Sequence, residues 1–294
     1  MIADPLYWLE LVVNGLLVGG VYALVAVSMT VVFGVLRIVN FAHGSLVTLG
    51  MYAGVVAVGA PFGLDPYVAI LPGFVLFLAF GWIMYVGAMD IVVRRPMLTQ
   101  LTFTLGLLVV IEAILEIVFL PDPRRIRAVW ASSPIDIGAL TLSTPKTIAF
   151  VAAVVLALAF WGFLRWTWWG MAIRAVAQHP DAAQLVGIPR RRVLGIAFAI
   201  STAAAGMAGM LMAPFLTISP YIGSGILGAA FAAVVVGTEG NVLGAFIGGI
   251  LAGLAEALGI GLFGDEYKNA CLFGLVLIML LAKPQGLFAA RAHV

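Results

Sequence analysis

The sequence contains little charge and almost no cysteine. Charged residues make up 10% of its 294 positions, and Cys271 is its one cysteine. Soluble domains carry about 25% charged residues, so the composition excludes an ordinary soluble globular protein. One cysteine also excludes an intrachain disulfide framework and a cysteine metal cluster.

The motifs of most enzyme classes are missing as well. The sequence contains no P-loop, no Gly-x-Gly-x-x-Gly nucleotide motif, no Ser/His/Asp set and no cluster of metal ligands. Its three histidines, His43, His179 and His293, lie far apart along the chain. We therefore expect neither an enzyme nor a cofactor-binding or metal-binding protein.

Apolar sequence dominates instead. Hydrophobic residues make up 64% of the chain, and the mean hydropathy is +1.17. The apolar runs have the length of helices, and the alternation typical of strands is absent. This pattern predicts an all-α polytopic membrane protein. We expect it to form one domain over residues 1–294. We expect eight to ten transmembrane helices, with the N-terminus periplasmic and the C-terminus cytoplasmic. The nine apolar segments cover about residues 9–35, 43–60, 67–93, 101–120, 147–164, 193–214, 228–236, 242–262 and 269–282.

Two polar breaks interrupt the apolar segments, one in each half of the chain. Asn40 and His43 lie in the first break, and Glu239 and Asn241 lie in the second. Glycine-flanked polar breaks are typical of discontinuous or re-entrant helices at transport sites, but an ordinary tight turn between spans has the same pattern. Both interpretations stay open, and these four residues together with Glu112 are the candidate translocation pathway.

Acidic residues within the apolar segments allow a second function. Glu112 and Glu116 are spaced i,i+4 and share one helix face. Ionisable groups inside a span usually face the bundle interior or a wet cavity. An ion-coupled carrier that uses Glu112 and Glu256 is therefore an alternative, and a membrane scaffold without transport activity is another.

The longest polar interruption covers residues 165–192. It holds five of the fifteen basic residues, a concentration that marks the cytoplasmic side of a membrane protein. Pro180 and Asp181 predict the start of a short helix, because proline and an acidic residue are favoured in the first turn. Gly187 predicts its left-handed end. We expect this loop to present a helix to a cytoplasmic partner.

Several motifs resemble one transporter family along nearly the whole chain. Asp181-Ala182-Ala183-Gln184-Leu185-Val186-Gly187 resembles the Glu-Ala-Ala-x-x-x-Gly coupling motif of ABC importer permeases, with Asp in place of Glu. Asn14-Gly15-Leu16, Asn40-Phe41-Ala42-His43-Gly44, Gly244-Ala245-Phe246-Ile247-Gly248-Gly249 and Pro284-x-Gly286-Leu287-Phe288 accompany it. Together they resemble the branched-chain amino acid permease family, in its H-type branch. A departure is Gly237-Thr238, where the family usually has two glycines.

The resemblance implies a type II-like ABC importer permease in a bacterial inner membrane. Its partners would be an M-type permease in a heterodimer, two cytoplasmic ATPases and a periplasmic substrate-binding protein. The residues that the resemblance assigns to the ATPase contact are Arg174, Asp181, Ala182, Ala183 and Gly187. Because the family also carries urea, short amides and aromatic acids, the resemblance leaves the substrate open.

Overall fold

The computed structural model describes residues 5–59, 61–126, 134–138, 140–283 and 286–288, and within them the chain is mostly helical. A helix lies over each of the nine predicted apolar segments. These helices are α1 (Pro5–Val31), α2 (His43–Val58), α3 (Ile70–Met84), α4 (Met97–Phe119), α5 (Thr144–Trp166), α8 (Arg190–Met212), α9 (Ile222–Gly237), α10 (Val242–Phe263) and α11 (Lys268–Ala282). The polar loop between α5 and α8 contains two more, α6 (Trp168–Gln178) and α7 (Pro180–Leu185).

Two of the long helices end in a π turn. Val32–Leu36 continues α1, and Arg37 follows it in the left-handed conformation with φ of 56°. Tyr85–Met89 continues α3, and Asp90–Val92 returns to α-helix. Both π turns lie at the same end of the molecule.

The chain is mostly helical, as the predicted all-α class requires, but the described residues also contain a short hairpin that was not predicted. Ile135–Ile137 (β1) pairs antiparallel with Leu140–Leu142 (β2), with Asp136 opposite Thr141. The strands are three residues each. A strand this short cannot build the alternating pattern that identifies strands in a sequence, so the hairpin was missed.

Within the described residues, six helices are long and apolar enough to cross a membrane: α1 and α3 with their continuations, and α4, α5, α8 and α10. The apolar helices α2 and α9 are shorter, with 16 residues each. At 1.5 Å per residue they reach about 24 Å, less than the hydrocarbon core of about 30 Å. The expected total of eight to ten crossings stays a prediction.

The connections between helices gather at two opposite ends. At the Arg-rich end (residues 37–42, 93–96, 165–192, 238–241 and 283), Arg37 Nη2 donates to Ala177 O at 3.2 Å. There too Gly34, in the π turn that ends α1, lies in backbone contact range of Gly240 in the second predicted break. At the hairpin end (residues 59, 61–69, 120–126, 134–138, 140–146, 213–221 and 264–268), Arg124 pairs with Ile218 as an isolated bridge.

The core forms where helix backbones touch. α1 packs most extensively against α10, and α8 packs against both α2 and α3. These contacts are built on glycine: a Cβ at Gly249 would overlap the backbone of Ala23, and a Cβ at Gly209 would overlap Val47 O. Helices associate in lipid through such close packing because apolar burial supplies no driving force there.

We expect Gly209→Ala to destabilise the fold. The added methyl group meets Val47 O and forces α2 away from α8, an overpacking cost of about 1–3 kcal/mol. Thermal unfolding of the purified chain in mild detergent measures it.

Gly106→Ala is the matched control, since Gly106 lies within α4 with open space around its Cβ position. Equal melting temperatures for the two variants would contradict the proposed backbone contact.

Candidate functional site

The loop between α5 and α8 is folded by local capping. Thr167 Oγ1 accepts from the Gly170 N–H at 3.0 Å and begins α6. Pro180 occupies the first turn of α7, as its position in the sequence predicts. At the end of α7, the Gly187 N–H donates to Gln184 O and the Ile188 N–H donates to Ala183 O, both at 3.0 Å. With φ of +84° at Gly187, these are the bonds of a Schellman motif, so the predicted left-handed end is confirmed.

Only some of the α7 residues that the family resemblance assigns to the ATPase contact are exposed. Asp181, Ala182 and Gly187 are exposed, whereas Ala183 is 4% exposed and packs into the protein. Ala183 therefore supports the helix in this conformation and does not reach its surface.

Two residues that the sequence reasoning missed are the most prominent on this surface. Leu185 is 89% exposed and Val186 is 77% exposed, at the tip of a polar loop. The signal was present in the sequence as an apolar pair directly before the glycine that ends the helix. Exposed apolar side chains at the end of a short helix form a surface that suits docking.

Arg174 ties α6 to α5. Its guanidinium donates to Leu164 O and, at 3.4 Å, to Arg165 O. These carbonyls belong to the last turn of α5, where a cation is stabilised by the helix dipole. Together with the bond from Arg37 to Ala177 O, this arrangement fastens α6 to the ends of two long helices.

Asp90 ties α3 to the start of α8. Its carboxylate accepts from Arg191 at 2.9 Å and from Arg94 at 3.1 Å, and its side chain is 12% exposed. The Tyr85 hydroxyl donates to the same carboxylate at 3.4 Å. Sequence reasoning missed this site because Arg191 lies about a hundred positions away from Asp90.

Asn40 and His43 are buried in the helix core. The His43 Nε2 lies 2.8 Å from Ser28 Oγ, and the Ser28 hydroxyl also donates to Val25 O at 2.7 Å. Ser201 Oγ donates to Ser28 O at 2.6 Å, so this cluster joins α1, α2 and α8. Asn40 Oδ1 accepts from the Ala42 N–H at 3.2 Å at the turn before α2.

The remaining pathway candidates lie in two places, Glu112 on α4 and the neighbouring residues Glu239 and Asn241 at the Arg-rich end. Glu112 is partly buried in α4, one turn before Glu116, whose carboxylate accepts from the Tyr221 hydroxyl at 2.6 Å near the hairpin end. Glu239 is exposed at the Arg-rich end. Asn241 Oδ1 accepts from the Gly244 N–H at 3.0 Å and thereby caps α10. The five candidates therefore form no single cluster.

A cavity opens at the Arg-rich end, and we call it the inner cavity. Its volume is about 790 Å³, and it lies between the ends of α1 and α5, the helix α6 and the first turn of α10. Asn241 is the one pathway candidate among the residues that line it. Its polar lining comes mainly from Thr30, Arg165, Arg174 and Asn241, and the rest of the wall is largely apolar.

The chain is similar to known proteins along nearly its full length. A family model described as branched-chain amino acid transport system / permease component matches residues 11–281. The high-affinity branched-chain amino acid transport system permease protein LivH of Escherichia coli K12 is 31% identical over 96% of this chain and 96% of its own length. BraD of Pseudomonas aeruginosa, described in the same terms, is 30% identical over 96% of this chain and 95% of its own length.

A third relative matches a smaller part of the chain. The probable branched-chain amino acid transport permease protein LivH of Methanocaldococcus jannaschii is 30% identical over 80% of this chain and 76% of its own length. No solved structure matches the chain significantly. With the family model covering most of the sequence, the chain belongs to the branched-chain amino acid transport system permease family and is a multi-pass membrane permease component, not an enzyme.

Proposed function

We propose that this chain forms half of the membrane pathway of an ATP-driven ABC importer in a bacterial inner membrane. The substrate class is branched-chain amino acids, as in the names of its relatives, or a related small polar solute. The other half is an M-type permease, two ATPases dock from the cytoplasm, and a periplasmic binding protein delivers the substrate. The observation that carries the proposal is α7, a capped helix with an exposed apolar tip at the Arg-rich end.

The charge distribution supports a cytoplasmic Arg-rich end. Among the described residues, nine basic side chains lie at that end and four lie at the hairpin end, which fits the positive-inside rule. The nine are Arg37, Arg94, Arg95, Arg165, Arg174, Arg190, Arg191, Arg192 and Lys283. The N-terminus is then periplasmic. The C-terminus would be cytoplasmic, although residues 289–294 lie outside the described ranges.

Coupling follows from the bonds around α6 and α7. An ATPase that displaces α7 also displaces α6, which Arg174 fastens to α5 and Arg37 fastens to α1. The same displacement acts on α8 through Pro189, and the ion pair between Asp90 and Arg191 passes it to α3. In this mechanism Arg174 acts through α5, while Asp181, Ala182 and Gly187 face the ATPase and Ala183 packs beneath them.

The pathway residues divide into two groups under this proposal. Asn241 lies on the solute's route, because it borders the inner cavity, and Glu239 lies beside it. Asn40 and His43 hold the break before α2 in place, and Glu112 lies near the hairpin end. An ion-coupled carrier has less support, since Glu112 and Glu256 lie on α4 and α10, which share no extensive contact.

Purification tests the proposed assembly. We expect the tagged chain, extracted in mild detergent, to bring with it an ATPase and a second permease, identified by mass spectrometry. Recovery of the chain alone, with leucine uptake into liposomes driven by an ion gradient, would instead establish the carrier.

Leu185→Asp should detach the ATPase and leave the fold intact. Loss of a central apolar contact costs about 2 kcal/mol in an interface, or about 30-fold in affinity. Because Leu185 is 89% exposed, the substitution disturbs no core packing. The amount of ATPase recovered with the tagged variant measures the effect.

Val68→Asp is the control, an exposed aliphatic residue that precedes α3 at the hairpin end. Normal ATPase recovery with Leu185→Asp would show that α7 is not part of the surface on which the ATPase docks.

The link between Asp90 and Arg191 is tested by a double-mutant cycle. We expect Asp90→Asn and Arg191→Gln each to lower the solute transported per ATP, and the double variant to be no worse than either. The expected interaction energy is about 1 kcal/mol, or about fivefold. Reconstituted transport and ATPase assays on the same samples give the ratio.

Arg94→Gln is the matched control, because Arg94 bonds the same carboxylate from within the same segment and links no second helix. The coupling role is excluded if Arg94→Gln is equally harmful, or if the effects of Asp90→Asn and Arg191→Gln simply multiply.

A further inference from the structure

The helix α4 is the least covered of the six long apolar helices. Of the residues in its most apolar stretch, 17% are buried within the chain, against 83% for α1 and 89% for α8. Its contacts with the rest of the chain run along one narrow face, whose buried residues are Thr104, Ile111 and Leu115. The opposite face of α4 is therefore turned to lipid or to another protein.

A carboxylate lies near the middle of this helix. Glu112 is four residues from the midpoint of α4, which places it about 6 Å from that midpoint and well inside a hydrocarbon core about 30 Å thick. Its side chain is partly exposed, and it makes no hydrogen bond or ion pair with any described residue. The neighbouring Glu116 differs, because the Tyr221 hydroxyl donates to it.

Lipid alone does not satisfy the Glu112 carboxylate. Acyl chains offer no hydrogen-bond donor, so an ionisable group at this depth is costly unless it faces protein or a wet cavity. The other outer helices, α3, α5 and α11, instead expose large aliphatic side chains such as Leu71, Val155 and Leu277, and their middle turns carry no charge. Among these outer helices, α4 is the one whose exposed side does not suit lipid.

Small residues on the exposed side of α4 allow a second helix to approach closely. Thr102, Gly106 and Ala113 are exposed, and their spacing of four and seven places them on one face, opposite Ile111. A Cβ at Gly106 would meet nothing within 4 Å, so packing within the chain does not require glycine there. Small residues at helical spacing are typical of contacts between helices in a membrane.

We propose that this side of α4 (Thr102, Gly106, Val109, Glu112 and Ala113), here called the α4 face, is the surface that binds the second permease. A transmembrane helix of that subunit packs over Gly106 and places a hydrogen-bond donor or a cation against Glu112. The inference rests on the proposed function, which supplies the second permease, and it adds which surface of this chain that subunit covers.

Charge favours a different chain over a second copy of this one. A symmetric contact between two copies uses the same patch on both subunits. Two copies joined through the α4 face would bring two Glu112 carboxylates into one interface, where like charges repel more strongly than in water. A different permease chain can instead present lysine, arginine, histidine or a hydroxyl group to the carboxylate.

Recovery of the second permease with the tagged chain in mild detergent tests the α4 face. Gly106→Leu blocks the close approach of the partner helix, and Glu112→Leu removes the carboxylate. We expect each to lower the recovered amount by about tenfold, which for Glu112→Leu is the effect of losing one hydrogen bond to a charged group. The melting temperature of the chain purified without partners should not fall in either variant, because the space around Gly106 is open and Glu112 bonds no described residue.

Matched controls separate the α4 face from general effects on the membrane domain. Gly274→Leu places the same side chain on α11, where the Cβ position is also open. Glu266→Leu removes an exposed carboxylate at the hairpin end. Both variants should recover the second permease as the parent chain does.

A photo-crosslinker identifies the neighbour of α4 directly. We expect p-benzoyl-L-phenylalanine in place of Thr102 to crosslink to the second permease in cell membranes, with the product identified by mass spectrometry. The same group in place of Val155, which is exposed on α5, should give no such product.

Three results would overturn the inference: Gly106→Leu and Glu112→Leu recover the second permease as the controls do, position 102 crosslinks to a second copy of this chain, or it crosslinks to no permease. If the whole assembly is recovered with both α4 variants, the inference fails and the proposed function stands. If a second permease is recovered through the α4 face but no ATPase accompanies it, the proposed function fails and the interface stands.

Discussion

The structure depends on how closely its helices approach one another. In a membrane, lipid tails are as apolar as leucine side chains, so helices gain association energy from packing and hydrogen bonds instead of from burial. Gly249 against Ala23 and Gly209 against Val47 bring α1 to α10 and α2 to α8 at backbone distance. These contacts make α1 and α8 the buried centre, while α4 lies at the periphery. The large glycine content of the chain serves this packing.

Close packing also explains the polar cluster of Ser28, His43 and Ser201. Where backbones nearly touch, only small side chains fit between them, and each hydroxyl must find its partner within the protein. Ser28 meets that need by donating to Val25 O on its own helix while its oxygen lies against His43. The cluster therefore fixes the start of α2 against α1 and α8.

The sequence was informative wherever the cause of a structure is local. Pro180 and Gly187 predicted the ends of α7, because first-turn proline and left-handed glycine act within a few residues. The apolar runs predicted nine helices for the same reason. The hairpin at Ile135–Leu142 was invisible, since strands of three residues carry no period.

Contacts between residues that are far apart in the sequence could not be predicted from the sequence alone. Nothing in the sequence around Asp90 indicates Arg191, and nothing around Arg174 indicates that its guanidinium bonds the end of the preceding helix. The inner cavity is formed by four segments, so its lining required the fold. Asn241 was singled out as a break residue, and its two positions, at the helix cap and on the cavity wall, emerged only from the structure.

The two π turns have a consequence for how the inner ends of α1 and α3 respond to force. Arg37 and Asp90, which bond α6 and α8, each directly follow a π turn. A π turn contains one more residue than the α-helical turn it replaces, and its conversion to α-helix moves the following residues by one position, about 1.5 Å and 100°. Force on either residue would therefore act on a helix end whose register can shift by one residue without repacking the rest of the helix.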